Sequence, residues 1–109
     1  MNTQTLTGSL TARQQRKAVA AFEAQSLPAL FIPLYTRFFE AFKAGRKKTE
    51  FRTYGRGWNE RTCLPGRRVT ISKGYGKYER LGGVISRFSR RGTTACIGIQ
   101  LNHTGEQLI

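Results

Sequence analysis

Lys47, Glu50 and Arg52 fall within the stretch Gly45-Arg46-Lys47-Lys48-Thr49-Glu50-Phe51-Arg52. A lysine ammonium is a compact charge with three donors, suited to a phosphate or a developing oxyanion. An arginine offers a planar fork for a phosphate or a base edge. On a strand, residues two apart project to the same side. Glu50 and Arg52 therefore either pair as a groove salt bridge or face a ligand together. Lys48 reads as a solvated surface charge. Past this stretch, rings and cations interleave as Tyr54, Arg56, Trp58, Arg61, then Lys73, Tyr75, Lys77, Tyr78 and Arg80. Unpaired bases stack on such rings, at about 1–3 kcal/mol each, and the combination suits single-stranded or splayed-out RNA. The plainer reading of Trp58 and Tyr78 is packing beneath their own loops. Tyr75 lies between two glycines, with few neighbours to bury it, and is a candidate for stacking or catalysis. Arg87, Arg90 and Arg91 read as general phosphate contacts.

The same groups would serve metal-independent cleavage of RNA. That reaction needs a base or acid near the phosphate and cations for the charge of the transition state. Lys47, Glu50 and Tyr75 are the catalytic candidates, and the 2′-hydroxyl of RNA would supply the nucleophile. Other chemistries fit poorly. The chain has no aspartate, its one histidine is His103, and neither Cys63 nor Cys96 has a partner in sequence. Ser-His-Asp and Cys-His catalysis lack their parts. A structural zinc site needs about four ligands. No metal and no cofactor is expected, and the thiols read as free in a reducing compartment.

Charge points the same way. The net charge is +13 over 109 residues. Residues 45–91 carry fourteen Lys/Arg against three acids, while residues 92–109 carry no base. Charge so concentrated repels itself until an anion relieves it. Nucleic acid is the first candidate, and an acidic protein partner is an alternative. No apolar run approaches the ~20 residues of a membrane span, and the basic residues form no long amphipathic helix, so a membrane partner is not expected. A cytoplasmic protein is.

The elements that must position these residues follow from pattern. Residues 1–9 read as a polar lead. Thr11 and Gln14 form a capping-box pattern, predicting a helix from Ala12 to about Gln25, docked by Ala18, Val19 and Phe22. Leu30-Phe31-Ile32 reads as a short strand. Tyr35, Phe38, Phe39 and Phe42 form a helical apolar stripe, with Thr36 as cap and Gly45 as stop. In the strand that follows, Phe51 should face the core and Glu50, Arg52 and Tyr54 a groove. Residues 55–67 read as loop, Arg68–Ser72 as strand, and Leu81–Phe88 as a strand bent at Gly82-Gly83. Ala95, Ile97, Ile99 and Leu101 alternate as a half-buried strand, and the tail from Asn102 reads as loop. The expected class is α+β: a small, mostly antiparallel β-barrel flanked by two helices.

Gly45, Lys47, Glu50 and Arg52 occupy the fixed places of Gly-x-Lys-x-x-Glu-x-Arg. With a helix before it and Gly-Arg-Arg-Val-Thr-Ile about fifteen residues after it, the stretch resembles the motif of the ASCH domain, a branch of the PUA-like superfamily. The resemblance covers roughly Ala29 to Leu101. It implies residues 29–109 as an ASCH/PUA-like domain, preceded by a lead and helix over residues 1–28. It also implies a PUA-like barrel with a basic cleft and RNA binding. Some similar proteins cut single-stranded RNA, and others hydrolyse N4-acylated cytidine nucleosides with the lysine that matches Lys47. That amidohydrolase branch usually has threonine in place of Glu50 and a catalytic glutamate in a longer downstream segment. This chain offers only Glu60, Glu79 and Glu106 there.

Overall fold

The computed structural model describes residues 11–76 and 79–102. The elements are α1 (Ala12–Ser26), β1 (Leu30–Leu34), α2 (Thr36–Lys43), β2 (Thr49–Thr53), β3 (Arg68–Lys73), β4 (Arg80–Arg91) and β5 (Thr94–Leu101). The five strands form one sheet in the order β1-β3-β4-β5-β2. β1 runs parallel to β3, and every other pairing is antiparallel. The class is the α+β one expected from the pattern. The sheet curls into half a barrel instead of closing, with β1 and β2 as its edges.

Ile32 and Leu34 of β1, Val69 and Ile71 of β3, Ile85 of β4 and Ile97 and Ile99 of β5 fill the concave side. α2 lays Phe39 and Phe42 onto them, and Cys63 joins from the loop. Gly45 stops α2 as predicted. Its φ is +83°, its N–H donates to Phe42 O, and Arg46 N–H donates to Ala41 O, a pair of bonds that only a left-handed residue at this position permits. The cap differs from expectation. Tyr35 occupies the N-cap in extended conformation and no side chain caps the helix, so Thr36 is already helical. Tyr35 therefore leaves the apolar stripe and stands exposed.

α1 forms with both capping-box bonds, Gln14 N–H to Thr11 Oγ1 and Thr11 N–H to Gln14 Oε1. Its expected docking residues do not dock. Ala18 and Val19 are exposed, and Phe22 is 72% exposed. Ala24 is buried, beside Gly66. The backbone just past the helix is tied down instead, where Leu27 and Pro28 carbonyls accept from Arg68 and Arg67. No helix among the described residues is long and apolar enough to cross a membrane.

Two features of the sheet bear on the site. The irregularity in β4 falls between Ile85 and Arg87, at Ser86, and not at Gly82-Gly83, which stay in register with Thr70 and Val69. Those glycines serve close approach: a Cβ on Gly83 would sit 2.5 Å from Gln100 O. The second feature is the facing of β2. Glu50 pairs with Ile97 and Arg52 with Ala95. Directly opposed residues share a face, and Ala95 and Ile97 are core residues. Glu50 and Arg52 thus point inward, while Phe51 points outward and is 56% exposed. The expectation of Phe51 in the core is overturned, because the apolar side of β5 fixes the register and a one-residue slip would turn β5 inside out.

Candidate functional site

Inward facing brings Glu50 to 6% exposure. A carboxylate this deep is costly unless paired and hydrogen-bonded. Both of its oxygens are engaged: Lys47 Nζ stands 3.5 Å from Oε1, and Arg52 Nε donates to Oε2 at 2.7 Å. The second arm of Arg52 reaches across the open side of the half-barrel and donates to Pro33 O at 2.6 Å. Pro33 lies on the opposite sheet edge. A side chain, and no backbone ladder, spans the gap between β1 and β2. The guanidinium lies 4.8 Å over the Trp58 ring, and Trp58 packs against the core. Stacking and two oriented bonds fix the fork.

Lys47 follows Gly45 at the helix-to-strand junction. Its ammonium stands 5.0 Å from the Phe38 ring, 5.5 Å from Phe42 and 5.3 Å from Phe51. Three ring faces and one carboxylate hold the cation in place.

The gap that Arg52 spans is a groove of about 450 Å³, lined by Pro33, Leu34, Tyr35, Phe38, Glu50, Phe51, Arg52, Gly74 and Tyr75. Its floor holds the ion pairs. Its rim carries rings that face solvent, Tyr35, Phe51 and Tyr75, the last 82% exposed and 6.3 Å from Phe31. A groove of this size with an apolar rim and a few convergent polar groups suits a flat ring with polar edges.

Of the residues singled out by sequence, Glu50, Arg52 and Tyr75 line the groove, Lys47 stands behind it against Glu50, Phe38 and Phe51, and Trp58 lies beneath Arg52. Tyr54 belongs to a separate cluster. Its hydroxyl donates to Glu60, Arg90 stacks 3.9 Å over its ring, and Phe88 lies beside it. The bond to Glu60 raises the Tyr54 phenol above its ordinary pKa and lowers that of Glu60. Arg56 and Arg61 are exposed on the loop after β2. Lys73 is drawn into ion pairs with Glu40 and Glu79, and Glu79 also binds Lys43. Lys73 therefore presents a compensated charge. Lys77, Tyr78, His103 and Glu106 lie outside the described residues.

Sequence reasoning missed Tyr35, Phe38 and Phe51 as groove residues and Pro33 as the acceptor. The rings fell in patterns that read as core. For Phe51 a signal did exist: Ala95, Ile97 and Ile99 were legible as the buried side of a strand, and pairing with it decides the facing of β2. The chain matches no known family model, and it has no match among curated proteins.

Proposed function

We propose that this protein binds RNA, or nucleic acid with unpaired bases, at the groove between β1 and β2. The observation that carries the reading is the groove's construction. Exposed rings of Tyr35, Phe51 and Tyr75 stand at its mouth, oriented polar groups lie on its floor, and the chain that carries it has a net charge of +13. A base stacked at the mouth would meet hydrogen-bonding groups at its edges, with phosphates remaining outside among the arginines. Arg52 keeps N–H donors beyond those given to Glu50 and Pro33, and Glu50 keeps lone pairs for a base amino group. An ASCH-type, PUA-like barrel is the family this reading implies. It is supported by Gly45, Lys47, Glu50 and Arg52 in the motif places, by α2 before them and by β3 after. Binding is favoured over cleavage because Glu50 is already paired with two cations and Lys47 is enclosed by rings, an arrangement made for holding and not for moving a proton.

A gel shift with labelled single-stranded RNA at low salt and in EDTA tests this, with the RNA recovered and sized afterwards. The expected result is a retarded band, weakened by Tyr75→Ala and by added salt, with the RNA intact. No shift at low salt would overturn the proposal. Shortened RNA, absent with Lys47→Ala, would replace binding by cleavage.

A further inference from the structure

The groove holds little of the chain's excess positive charge, since its two cations share Glu50. The ion pairs of the described residues join Lys43, Lys47, Arg52 and Lys73 to Glu40, Glu50 and Glu79. The arginines of β4 take no part in them.

Strand register locates part of that remaining charge. Across β2, β5 and β4, three rows of opposed residues face away from the core: Thr49–Gly98–Arg87, Phe51–Cys96–Ser89 and Thr53–Thr94–Arg91. The intervening rows contain Ala95 and Ile97 and face inward. Phe51, Thr53, Arg87, Ser89 and Arg91 on these rows are exposed. No described glutamate faces them: Glu50 points inward, Glu60 meets Tyr54, Glu79 meets Lys43 and Lys73, and Glu23 and Glu40 lie on helices. Gly98 matters here. A Cβ on it would stand 2.9 Å from Arg87 Cγ, so the missing side chain lets the Arg87 stem lie over β5.

We infer that a single strand of nucleic acid crosses this outer face of β4, β5 and β2, its phosphates held by Arg87 and Arg91 and a base stacked on Phe51. The inference rests on the nucleic-acid reading above and adds a second, separate surface to it. Arg87 and Arg91 stand four residues apart on one strand, about 13 Å, and Phe51 lies about two strand spacings, roughly 10 Å, from β4. Between them the face is small and hydroxyl-bearing, which admits a sugar–phosphate chain. Phe51 also borders the groove, so a strand leaving the groove would pass directly onto this face. A duplex hides its base faces and would leave Phe51 idle; a strand with unpaired bases uses both the ring and the arginines.

The test is fluorescence anisotropy with a labelled unstructured RNA of about 12 nucleotides, measured from low to moderate salt. The wild type, Arg87→Ala/Arg91→Ala, Phe51→Ala, Phe51→Tyr and a charge-matched control, Arg13→Ala/Arg16→Ala on α1, are compared. The double arginine variant should bind at least tenfold more weakly, with a salt slope smaller by about 1.4. Phe51→Ala should also weaken binding and Phe51→Tyr restore it, while the α1 control stays within threefold of wild type. Circular dichroism of the double variant should match wild type, since both arginines are exposed. Wild type that fails to bind overturns the nucleic-acid reading itself. Wild type that binds, with an unchanged double variant, an equally weakened α1 control or equal affinity for duplex, overturns the outer face alone.

Discussion

Glu50 ties the site together. It is buried, and its two oxygens engage Lys47 and Arg52. Replacing it by glutamine keeps the shape and removes the charge, leaving two cations facing each other. Loss of one partner from a fully buried pair costs about 3–5 kcal/mol. Lys47 and Arg52 keep 19% and 23% of their side-chain surface, so water screens part of the repulsion. Glu50→Gln should therefore lose about 2 kcal/mol in urea denaturation; an unchanged midpoint would show that the pairing contributes nothing to the fold. Part of this site was legible before the structure. Lys47, Glu50, Arg52 and Tyr75 stood out because charge and spacing are local properties. Phe51 and Tyr35 did not, because a ring in an alternating or helical pattern looks like core until its neighbours are known. Ala95 and Ile97 decide the facing of Phe51 from a strand late in the chain, and the extended Tyr35 backbone decides that of Tyr35.

The order of helices and strands was readable because hydrophobic period, capping box and glycine stop are all short-range signals. The bridging of the open half-barrel was not, since it depends on Arg52 meeting Pro33 O across the two edges. Gly82-Gly83 shows the same limit: a glycine pair in a strand signals either a bend or a close approach, and only the neighbouring strand tells which. A methyl at Gly83 would strike Gln100 O, a backbone atom that cannot step aside, whereas one at Gly82 would meet the Asn102 side-chain amide at 3.2 Å. Gly83→Ala should cost about 3 kcal/mol, at the upper end for overpacking, and Gly82→Ala well under 1 kcal/mol; thermal denaturation of the pair distinguishes them. α2 is held to the β3–β4 turn by a second device, the chain of charges Glu40–Lys73–Glu79–Lys43. The bond from Lys43, then that from Lys73, holds the Glu79 carboxyl below its ordinary pKa. A depressed folded pKa contributes stability above the ordinary carboxylate value of about 4.3, which is lost as pH falls through the depressed one. Lys43 is raised, chiefly by Glu79, so its contribution persists below the ordinary lysine value and disappears only at strongly alkaline pH. The stability difference between wild type and Glu79→Gln should thus be steady near neutrality and shrink as acidification proceeds below the ordinary carboxylate range. A difference that does not shrink in acid would mean the glutamate acts by packing and not by charge.

At the scale of the whole molecule, the protein carries +13 with every described ion pair confined to Glu40, Glu50 and Glu79. The arginines of β4, with Arg56 and Arg61 of the loop after β2, are left facing water, where they interact over a Debye length of about 10 Å at 0.1 M salt and over a longer one at lower salt. Their mutual repulsion lowers the stability of the folded state, and it also supplies the attraction for a polyanion. Salt must act on the two with opposite sign. Raising potassium chloride from about 0.02 to 0.3 M screens the repulsion over a range in which the Debye length falls severalfold, so Tm should rise by several degrees. Over the same range affinity for single-stranded RNA should fall along a straight line in log–log form, with a slope near −0.7 per phosphate neutralised. Arg87→Ala/Arg91→Ala should flatten both lines, raising Tm at low salt while weakening binding. A Tm that falls with added chloride would mean that attractive pairs, and not unrelieved repulsion, dominate the folded protein's electrostatics.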